Sequence, residues 1–338
     1  MNELVSARRS TQTSTPTSTH TFFMGRFLFA AALALATMPV SHSFAQNSEE
    51  VSAKDFARMR CALDESDVYI QWRGNVYGQI EGERQKLLFD SLGVNVARCL
   101  QSATGGWDLV TRELQLYRDP STGETIHTWT NPWTSEVVPV MHVANDPVSH
   151  PLAPKPYMAQ RAGDRLVFSV DVPLTYPNPL AGATEFEPYG NQPLYQAIEM
   201  FRFFIPADSL RAAKAKPGTA AASEETPRLN EVTLAWTRVS PWLPWMKMGA
   251  RPGTLVSSAV GVKLPSYDAL DPALRAEIDG RLPRYRFAPR CVPAARNVTS
   301  WTSFQQHFAD YLSGARFPLP APSLDDVCQT ERPHGARK

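Results

Sequence analysis

The sequence has no excess of charge of one sign. Its 34 lysines and arginines stand against 33 aspartates and glutamates, and no block of like charge runs along the 338 residues. Proteins that bind nucleic acid through a broad electrostatic surface concentrate basic residues on one face or in one segment. The composition therefore excludes such a surface, and we predict no nucleic-acid partner.

Long apolar runs are also missing, with one exception near the start. Residues 27–40 are apolar, but they are fewer than the about 20 residues that a membrane helix needs. Arg26 precedes this run, and Ser-Phe-Ala at 43–45 is a small-x-small cleavage site, so the three parts of a secretory signal are present. We predict that residues 1–45 form the signal region, with Met24 as an alternative translation start. The mature protein would be periplasmic or secreted, with no stable membrane insertion after cleavage.

Cysteine is scarce, with four residues at Cys61, Cys99, Cys291 and Cys328. An even number in an oxidising compartment permits two disulfides, and three pairings are possible. The most local pairing joins Cys61 to Cys99 and Cys291 to Cys328. Four buried free thiols are the alternative, because core cysteine is common. No spacing matches a CxxC redox or metal motif.

Motifs of metal-dependent and covalent catalysis are absent as well. The sequence has no HExxH or HxH pattern and no GxSxG motif, so a covalent hydrolase has no support. His127, His142 and His150 could converge on a metal, but His127 and His142 share a face only in one register of their predicted hairpin. We therefore predict neither a metal site nor a cofactor.

Proline and period-two patterning are what the sequence has in abundance. The 29 prolines divide the chain into short elements, and apolar and polar residues alternate in many segments between residues 67 and 264. We predict a mainly β fold in which an antiparallel meander forms a barrel or a strongly curved, calycin-like sheet, with short helices at both ends. An open pair of sheets is the alternative.

Local signals set the predicted strand boundaries. Residues 67–82 indicate a hairpin with its turn at Gly74-Asn75, and residues 86–101 indicate a strand pair or one bent strand. The clearest meander has strands at 107–118, 124–130 and 136–143, and Asp146-Pro147 would end it. Further strands are predicted at 164–176, 195–206, 231–242 and 254–264, and a flexible loop at 212–230.

Helices are predicted at both ends of this domain. Residues 46–66 contain a short amphipathic helix, and residues 265–338 form a helical extension of the same domain. In the extension, Asp271-Pro272 supplies a cap and a first-turn proline. Thr302 followed by Gln305 predicts a capping box, opening a helix with Phe304, Phe308 and Tyr311 on one face.

Three longer segments carry a family resemblance. The segments VYGQIEGERQKLLFDSLGVNVARC, LYRDPSTGETIHTWTNPWTSEVVPVMHVANDPV and PWLPWMKMGARPGTLVSSAVGVKL resemble a bacterial exported family described as domain of unknown function 1838. The likeness runs from about Asp55 to about Pro283. It implies one continuous domain and an exported location, and it brings no established reaction, cofactor or catalytic residue.

His142 is the candidate base. Asn145 and Asp146 follow it closely, and a carboxylate beside an imidazole can fix its tautomer and raise its basicity. The Asn145 side chain could donate to an oxyanion. We therefore name His142, Asp146 and Asn145 as catalytic candidates for a non-covalent isomerase, lyase or hydrolase. An ordinary turn is the alternative, because Asn and Asp side chains bond to their own backbone.

Four tryptophans in or beside predicted strands are candidates for a ligand-binding wall: Trp129, Trp133, Trp236 and Trp245. Around the mouth of a barrel, such residues would line a pocket for an apolar or aromatic molecule. Placement in the core is the alternative for each of them, since large apolar side chains are mostly buried.

Arginines inside strands suggest what the ligand's polar group would be. An inward-facing Arg98 or Arg202 needs a carboxylate, either from Glu113 or Glu199 or from a ligand. The leading hypothesis is a cavity that binds a small apolar or amphipathic molecule, with or without an acidic head, anchored by Arg98, Arg202 and His142. The catalytic site around His142 is the second hypothesis, and a structural envelope module without a pocket is the third.

Overall fold

The computed structural model describes residues 48–211, 226–320 and 326–328. Within these residues, the strands are β1 (Ser48–Val51), β2 (Val68–Gln79), β3 (Lys86–Gln101), β4 (Trp107–Arg118), β5 (Thr128–Thr130), β6 (Val137–Pro139), β7 (Val143–Leu152), β8 (Tyr157–Ala162), β9 (Arg165–Pro177), β10 (Leu194–Pro206), β11 (Thr233–Ser240) and β12 (Thr254–Leu264). The helices are α1 (Ala53–Arg60), α2 (Asp208–Arg211), α3 (Pro272–Arg281), α4 (Ser300–Gln306) and α5 (Phe308–Leu312).

Ten of these strands form a single antiparallel sheet in the order β1-β8-β9-β10-β11-β12-β2-β3-β4-β7. The sheet is curled as a half-barrel, and short helices precede and follow its strands. The prediction of a mainly β fold with a strongly curved antiparallel sheet is therefore confirmed. Strands β9 to β12 lie close to their predicted positions, because each alternates clearly along its own sequence.

Strand β2 runs unbroken through Gly74 and Asn75, where a hairpin turn was predicted, so that prediction was wrong. Gly74 pairs with Ala259 of β12, and a Cβ at position 74 would lie 2.1 Å from the backbone oxygen of Ser258. The glycine thus permits close approach of the neighbouring strand rather than a turn. The connection between β2 and β3 falls at residues 80–85, and β3 is one strand of 16 residues.

The meander after β4 is also different from the prediction. The segments predicted at 124–130 and 136–143 form a separate two-stranded sheet of β5 and β6, with Trp129 paired to Val138. The strand that pairs with the other edge of β4, opposite β3, is β7, which runs through Asp146 and Pro147 instead of ending there. Because β7 is at the edge of the sheet, a proline that lacks an N–H donor is tolerated in it.

The helices follow their predicted order, but several boundaries differ, and the helix predicted to carry Phe304, Phe308 and Tyr311 is divided into α4 and α5. Asp271 caps α3 by accepting a hydrogen bond from Ala273, with Pro272 in the first turn, as predicted. Helix α4 has a capping box, but it joins Thr299 to Thr302, three residues before the predicted one. The first helix is shorter than its predicted segment, because β1 occupies Ser48–Val51.

Two disulfides are present in the described residues, and they have the local pairing. Cys61, directly after α1, is joined to Cys99 of β3, and Cys291 is joined to Cys328. The predictions for the signal region and for most of the loop at 212–230 fall on residues 1–47 and 212–225, outside the described residues. In the part of the chain that is described, no helix has both the length and the apolar character required to cross a membrane.

Three clusters of buried apolar side chains form the core. One includes Trp245 and Phe304, and a second includes Met59 of α1 and Phe203 of β10. Both contain side chains from the concave face of the sheet. The third cluster places Ile278 of α3 against Leu114 of β4 on the opposite, convex face. Consequently β2, β3 and β4 are covered on both faces.

Candidate functional site

A cavity of about 140 Å³ lies on the concave face of the sheet, and we call it the concave cavity. Side chains from β2, β3, β4, β7, β10, β11 and β12 line it, together with Arg60 of α1 and Ser300 of α4. Phe203 of one core cluster and Tyr117 of the other are both in its wall. The cavity therefore lies between the two apolar clusters of the concave face.

Three polar side chains lie side by side in this cavity because of the strand register. Glu113 of β4 pairs with Asn95 of β3 on one side and with Asn145 of β7 on the other. Asn95 Nδ2 donates to Glu113 Oε1 over 3.2 Å, and Asn145 Nδ2 donates to Oε2 over 3.1 Å. Both carboxyl oxygens of Glu113 thus accept an amide N–H. No lysine or arginine of the described residues lies within ion-pair distance of Glu113.

A second carboxylate in the cavity has a cationic partner. Glu199 of β10 pairs with Arg238 of β11, and Arg238 Nη1 lies 2.9 Å from Glu199 Oε1. Arg238 Nη2 also donates to the hydroxyl of Tyr195. The two glutamates of one cavity therefore have different environments, since one is held by a guanidinium and the other by neutral amides.

Aromatic rings form the apolar part of the wall. The indole of Trp72 lies over Gly93 of β3, where a Cβ would come within 2.3 Å of the ring, and Trp72 Nε1 donates to Gln115 Oε1 over 2.9 Å. The ring centroid of Trp236 is 6.5 Å from that of Trp72 and 6.4 Å from that of Phe201. These rings offer an apolar surface that a planar or aliphatic group can contact.

Arg60 reaches the cavity from the last position of α1. Its guanidinium carbon lies 4.8 Å from the ring centroid of Phe203, and no described carboxylate is within ion-pair distance. The end of α1 is held by Lys263 of β12, whose Nζ donates to the backbone oxygens of Arg58 and Cys61 over 2.8 and 2.9 Å. Arg60 is thus a positioned cation that has an aromatic neighbour and, in the described part of the chain, no carboxylate partner.

Buried polar atoms without a hydrogen-bond partner are concentrated around the concave cavity. Nine such side-chain atoms occur in the described residues, and four of them belong to residues of its wall: Arg60 Nε, Asn145 Oδ1, Trp236 Nε1 and Arg238 Nε. Buried polar groups usually have a partner, so each exception requires an explanation. Three of the four atoms are donors, which favours a ligand that presents acceptors.

Burial shifts the charge equilibria of the cavity. It raises the pKa of Glu113, and the charge of Glu199 raises that pKa further, against the lowering effect of the Asn145 hydrogen bond. Burial also lowers the pKa of Arg60 to about 10, so that Arg60 is still cationic at neutral pH. Glu113 therefore keeps its proton to a higher pH than an exposed glutamate does.

The predicted base and its predicted orienter are not in contact. His142 Nδ1 accepts a hydrogen bond from the backbone N–H of Tyr117 over 3.0 Å, which leaves the proton of the neutral ring on Nε2. The Asp146 carboxylate binds Arg112 and Arg284. Within the described part of the chain, no hydrogen bond joins Asp146 to His142.

The three catalytic candidates divide between two cavities. His142 and Asp146 line a second cavity of about 360 Å³ that Arg284 and His307 also border. Asn145 faces the opposite way, into the concave cavity, because successive residues of a strand point to opposite faces. The second cavity is larger, but His142 Nε2 is the one unpartnered buried atom among its described lining residues, against four around the concave cavity, so the concave cavity is the stronger candidate.

The neutral state of His142 gives a measurable pH dependence of stability. Burial lowers the pKa of His142 to about 3, while the unfolded chain titrates near 6.5. Between these values the unfolded state binds a proton that the folded state does not, so stability falls as the pH falls. From pH 6.5 to pH 5 the expected loss is about 2 kcal/mol.

Urea unfolding of the wild type and of His142→Asn at these two pH values tests this expectation. The asparagine oxygen can accept the Tyr117 N–H without titrating. We expect the acid-induced loss to be about 2 kcal/mol smaller in the variant. Equal losses in the two proteins would show that His142 does not carry the effect.

Only one of the predicted wall tryptophans lines the concave cavity, and this is Trp236. Trp129 and Trp245 pack in the first core cluster, with ring centroids 5.9 Å apart. Trp133 contacts Trp242 at 5.1 Å and donates its Nε1 hydrogen to Glu83. These three rings therefore belong to the apolar cluster and not to the wall of the cavity.

The predicted arginine anchors have protein partners elsewhere. Arg98 Nη2 lies 2.9 Å from Asp67 Oδ1, and Arg202 Nη1 lies 2.6 Å from Asp171 Oδ1. Both side chains are outside the lining of the concave cavity. Arg202 follows Phe201 on β10 and therefore points to the other face.

Two of the three candidate histidines are close to each other, but the described residues do not build a recognisable metal site. The rings of His127 and His142 have centroids 6.1 Å apart, while His150 pairs with Leu109 at the other end of β7. No group of three or more His, Cys, Asp or Glu side chains that could hold a metal occurs in the described residues. That the protein has neither a metal site nor a cofactor stays a prediction.

Sequence reasoning did not select Arg60, Trp72, Asn95 or Glu113 for the site. Glu113 was considered only as an ion-pair partner for an arginine. The available signal was one polar residue in the period-two pattern of each of two neighbouring strands, namely Asn95 and Glu113. This signal becomes useful only when the register that places them side by side is known.

Comparisons with known proteins bear on the family and not on the chemistry. A family model described as "Protein of unknown function (DUF1838)" matches residues 65–308, which confirms the resemblance seen in the sequence. A search of the curated proteins finds no match. The description of the matched family assigns no activity, so the geometry of the cavity has to carry the functional argument.

Proposed function

The chain belongs to the family of proteins of unknown function DUF1838, and we propose that it is an exported protein whose concave cavity binds one small amphipathic anion. The apolar body of the ligand would contact Trp72, Trp236 and Phe201. Its oxyanion group would face Arg60. The single observation that carries this proposal is the set of three unpartnered buried donors in a wall that also contains aromatic rings.

The chemistry of these donors supports an oxyanion rather than a cation. Arg60 Nε, Arg238 Nε and Trp236 Nε1 each present an N–H, and Asn145 Oδ1 is the one unpartnered acceptor among the four atoms. Hydrogen bonds from arginine to carboxylate are stronger than those between neutral groups. A carboxylate or sulfonate would satisfy several of these donors at once.

The volume of the cavity supports a small ligand. An apolar cavity of about 150 Å³ in another protein holds one benzene molecule. The concave cavity, at about 140 Å³, is of the same size. We therefore propose a ligand with one aromatic ring or a short aliphatic chain, and we expect steroid acids and long fatty acids to be excluded.

The experiment begins with the full chain expressed from its own signal region, since export is part of the proposal. A mature protein that starts at Gln46 in the periplasmic fraction would support export. Tryptophan fluorescence and calorimetry then measure the binding of benzoate, benzamide, hexanoate and cholate. We expect benzoate to bind at least about tenfold more tightly than benzamide, because only benzoate forms charge-assisted hydrogen bonds.

Two variants make this test specific for Arg60. Arg60→Gln should weaken benzoate binding by about 10- to 100-fold and leave benzamide binding nearly unchanged. Arg202→Gln is the matched control, because Arg202 pairs with Asp171 outside the cavity. Absence of binding by every compound, equal affinity for benzoate and benzamide, or an unchanged Arg60→Gln variant would each contradict the proposal.

A further inference from the structure

We infer that Glu113 takes up a proton when an oxyanion binds beside Arg60, so that ligand binding and protonation are coupled in the concave cavity. This inference rests on the proposed function and adds the pH dependence of the same site. It concerns a carboxyl group that the candidate histidine site does not include.

The charged groups in the wall of the concave cavity are balanced in number. Its wall contains two guanidinium groups, Arg60 and Arg238, and two carboxyl groups, Glu113 and Glu199. With all four ionised, the charges cancel, and a bound oxyanion would leave one uncompensated negative charge. A buried uncompensated charge is strongly unfavourable. If one carboxyl group is protonated, the cavity carries one positive charge, which the oxyanion neutralises.

Of the two carboxyl groups, Glu113 is the one that can take up the proton. Glu199 is in contact with Arg238 at 2.9 Å, so a proton added to Glu199 would disrupt an ion pair. Among the described residues, Glu113 has only the amides of Asn95 and Asn145 as hydrogen-bond partners. An amide N–H can donate to the carbonyl oxygen of a protonated carboxyl group as well as to a carboxylate. Glu113 can therefore change its charge without losing a cationic partner.

Charged and titratable groups around Glu113 all act on the protonation of its carboxyl group. The charged and titratable groups that influence Glu113 are Arg60 from α1, Glu199 from β10, Arg238 from β11 and Tyr285 from the turn that follows α3. Burial and the charge of Glu199 already raise the pKa of Glu113. A bound oxyanion is a further negative charge nearby and acts in the same direction.

The consequence is an affinity that depends on pH. Above the pKa of Glu113 in the free protein, each bound anion requires one proton from the solvent. The affinity should then fall about tenfold for each pH unit. Below that pKa, Glu113 is already protonated and the affinity should be independent of pH.

Benzenesulfonate is the probe for the test, because it is the anion of a strong acid and cannot accept the proton itself. Calorimetry in two buffers of different ionisation enthalpy counts the protons taken up on binding. We expect close to one proton per benzenesulfonate for the wild type at a pH above the pKa of Glu113. Glu113→Gln should bind without proton uptake, and with higher affinity than the wild type at that pH.

Asp108→Asn is the matched control. Asp108 lies on the same strand, its pKa is also raised by burial, and it does not line the cavity. This variant should keep the proton uptake of the wild type. Infrared difference spectra of the wild type supply a measurement that needs no variant, since a carboxyl C=O band should appear when benzenesulfonate binds.

The outcomes separate the two proposals. If benzenesulfonate does not bind at all, the proposed function fails and the coupling fails with it. Binding by the wild type without proton uptake overturns the coupling alone. Proton uptake that persists in Glu113→Gln shows that another group accepts the proton and overturns the assignment to Glu113.

Discussion

Replacement of Arg112 by methionine is expected to lower the free energy of unfolding by about 3–5 kcal/mol, as for other buried ion pairs that lose one partner. The Arg112 side chain is 2% exposed. Its Nε donates to Asp146 Oδ1 over 2.9 Å, its Nη1 donates to the backbone oxygen of Phe287 over 2.6 Å, and its Nη2 binds Asp326. Methionine would fill similar space but leave buried acceptors without these donors.

The loss of stability is large because Arg112 shares its carboxylate partners with Arg284. Arg284 also binds both Asp146 and Asp326, so two guanidinium groups and two carboxylates form one network. Without Arg112, a single guanidinium faces two buried carboxylates. The network joins β4 and β7 to the segment after α3 and to Asp326, which means that its loss loosens the attachment of the C-terminal segments to the convex face.

Urea unfolding at pH 7 measures the effect, with Arg73→Met as the matched control. Arg73 is also a strand arginine paired with an aspartate, Asp271, but its side chain is 60% exposed. An exposed pair is expected to contribute less than about 1 kcal/mol. A loss in Arg112→Met as small as that in Arg73→Met would contradict the importance of the buried network.

This network also bears on the catalytic hypothesis for Asp146. The Asp146 carboxylate holds two guanidinium groups, Arg112 and Arg284, and among the described residues no hydrogen bond joins it to His142. In addition, His142 with its pKa lowered to about 3 is a weak base at neutral pH. The geometry therefore favours a structural role for both side chains.

Local patterns were sufficient to predict many of the elements. Strand β12, for example, alternates between buried and exposed residues over most of its length, so that its period is visible in the sequence alone. The start of α3 was predictable for a similar reason, because Asp271 and Pro272 are adjacent residues with a direct local effect on the first helical turn.

The position of the candidate site was not predictable in the same way. In β4, Arg112 faces the convex side and Glu113 the concave cavity, and apolar residues continue on both faces. When both faces of a strand are covered, alternation no longer distinguishes the inside of a half-barrel from its outside. The sequence thus indicated a strand without indicating which of its polar residues would meet a ligand.

Contacts between residues that are distant in sequence complete the site. These contacts depend on the strand register and on the packing of α1 against the sheet. Arg60 and Glu113 lie on α1 and β4, and they share a cavity only because the N-terminal helix packs on the concave face. Gly74 shows the same limit, since its role is set by Ser258 on another strand. Residues whose neighbours are distant in sequence carry no local signal of those neighbours.

Removal of the Cys61–Cys99 disulfide is expected both to destabilise the fold and to weaken ligand binding. The bond closes a sequence separation of 38 residues, and loop-closure entropy gives about 4 kcal/mol for a loop of this length. Cys61 directly follows Arg60, and Cys99 is on the strand that carries Asn95. The bond therefore fixes the cationic end of α1 relative to the polar row of the cavity.

The second disulfide of the described residues is a matched control, since it closes a separation of 37 residues. Cys291→Ala/Cys328→Ala should lose a similar about 4 kcal/mol, because the closed loop is almost equal in length. Neither Cys291 nor Cys328 lines the concave cavity, so benzoate affinity should stay at the wild-type value in this variant. In Cys61→Ala/Cys99→Ala, by contrast, Arg60 loses the covalent link at the next residue and depends on hydrogen bonds to the end of α1, such as those from Lys263, so benzoate affinity should fall. Urea unfolding and benzoate titration of the two double variants separate the effects, and equal benzoate affinities would show that the Cys61–Cys99 bond stabilises the chain without positioning Arg60.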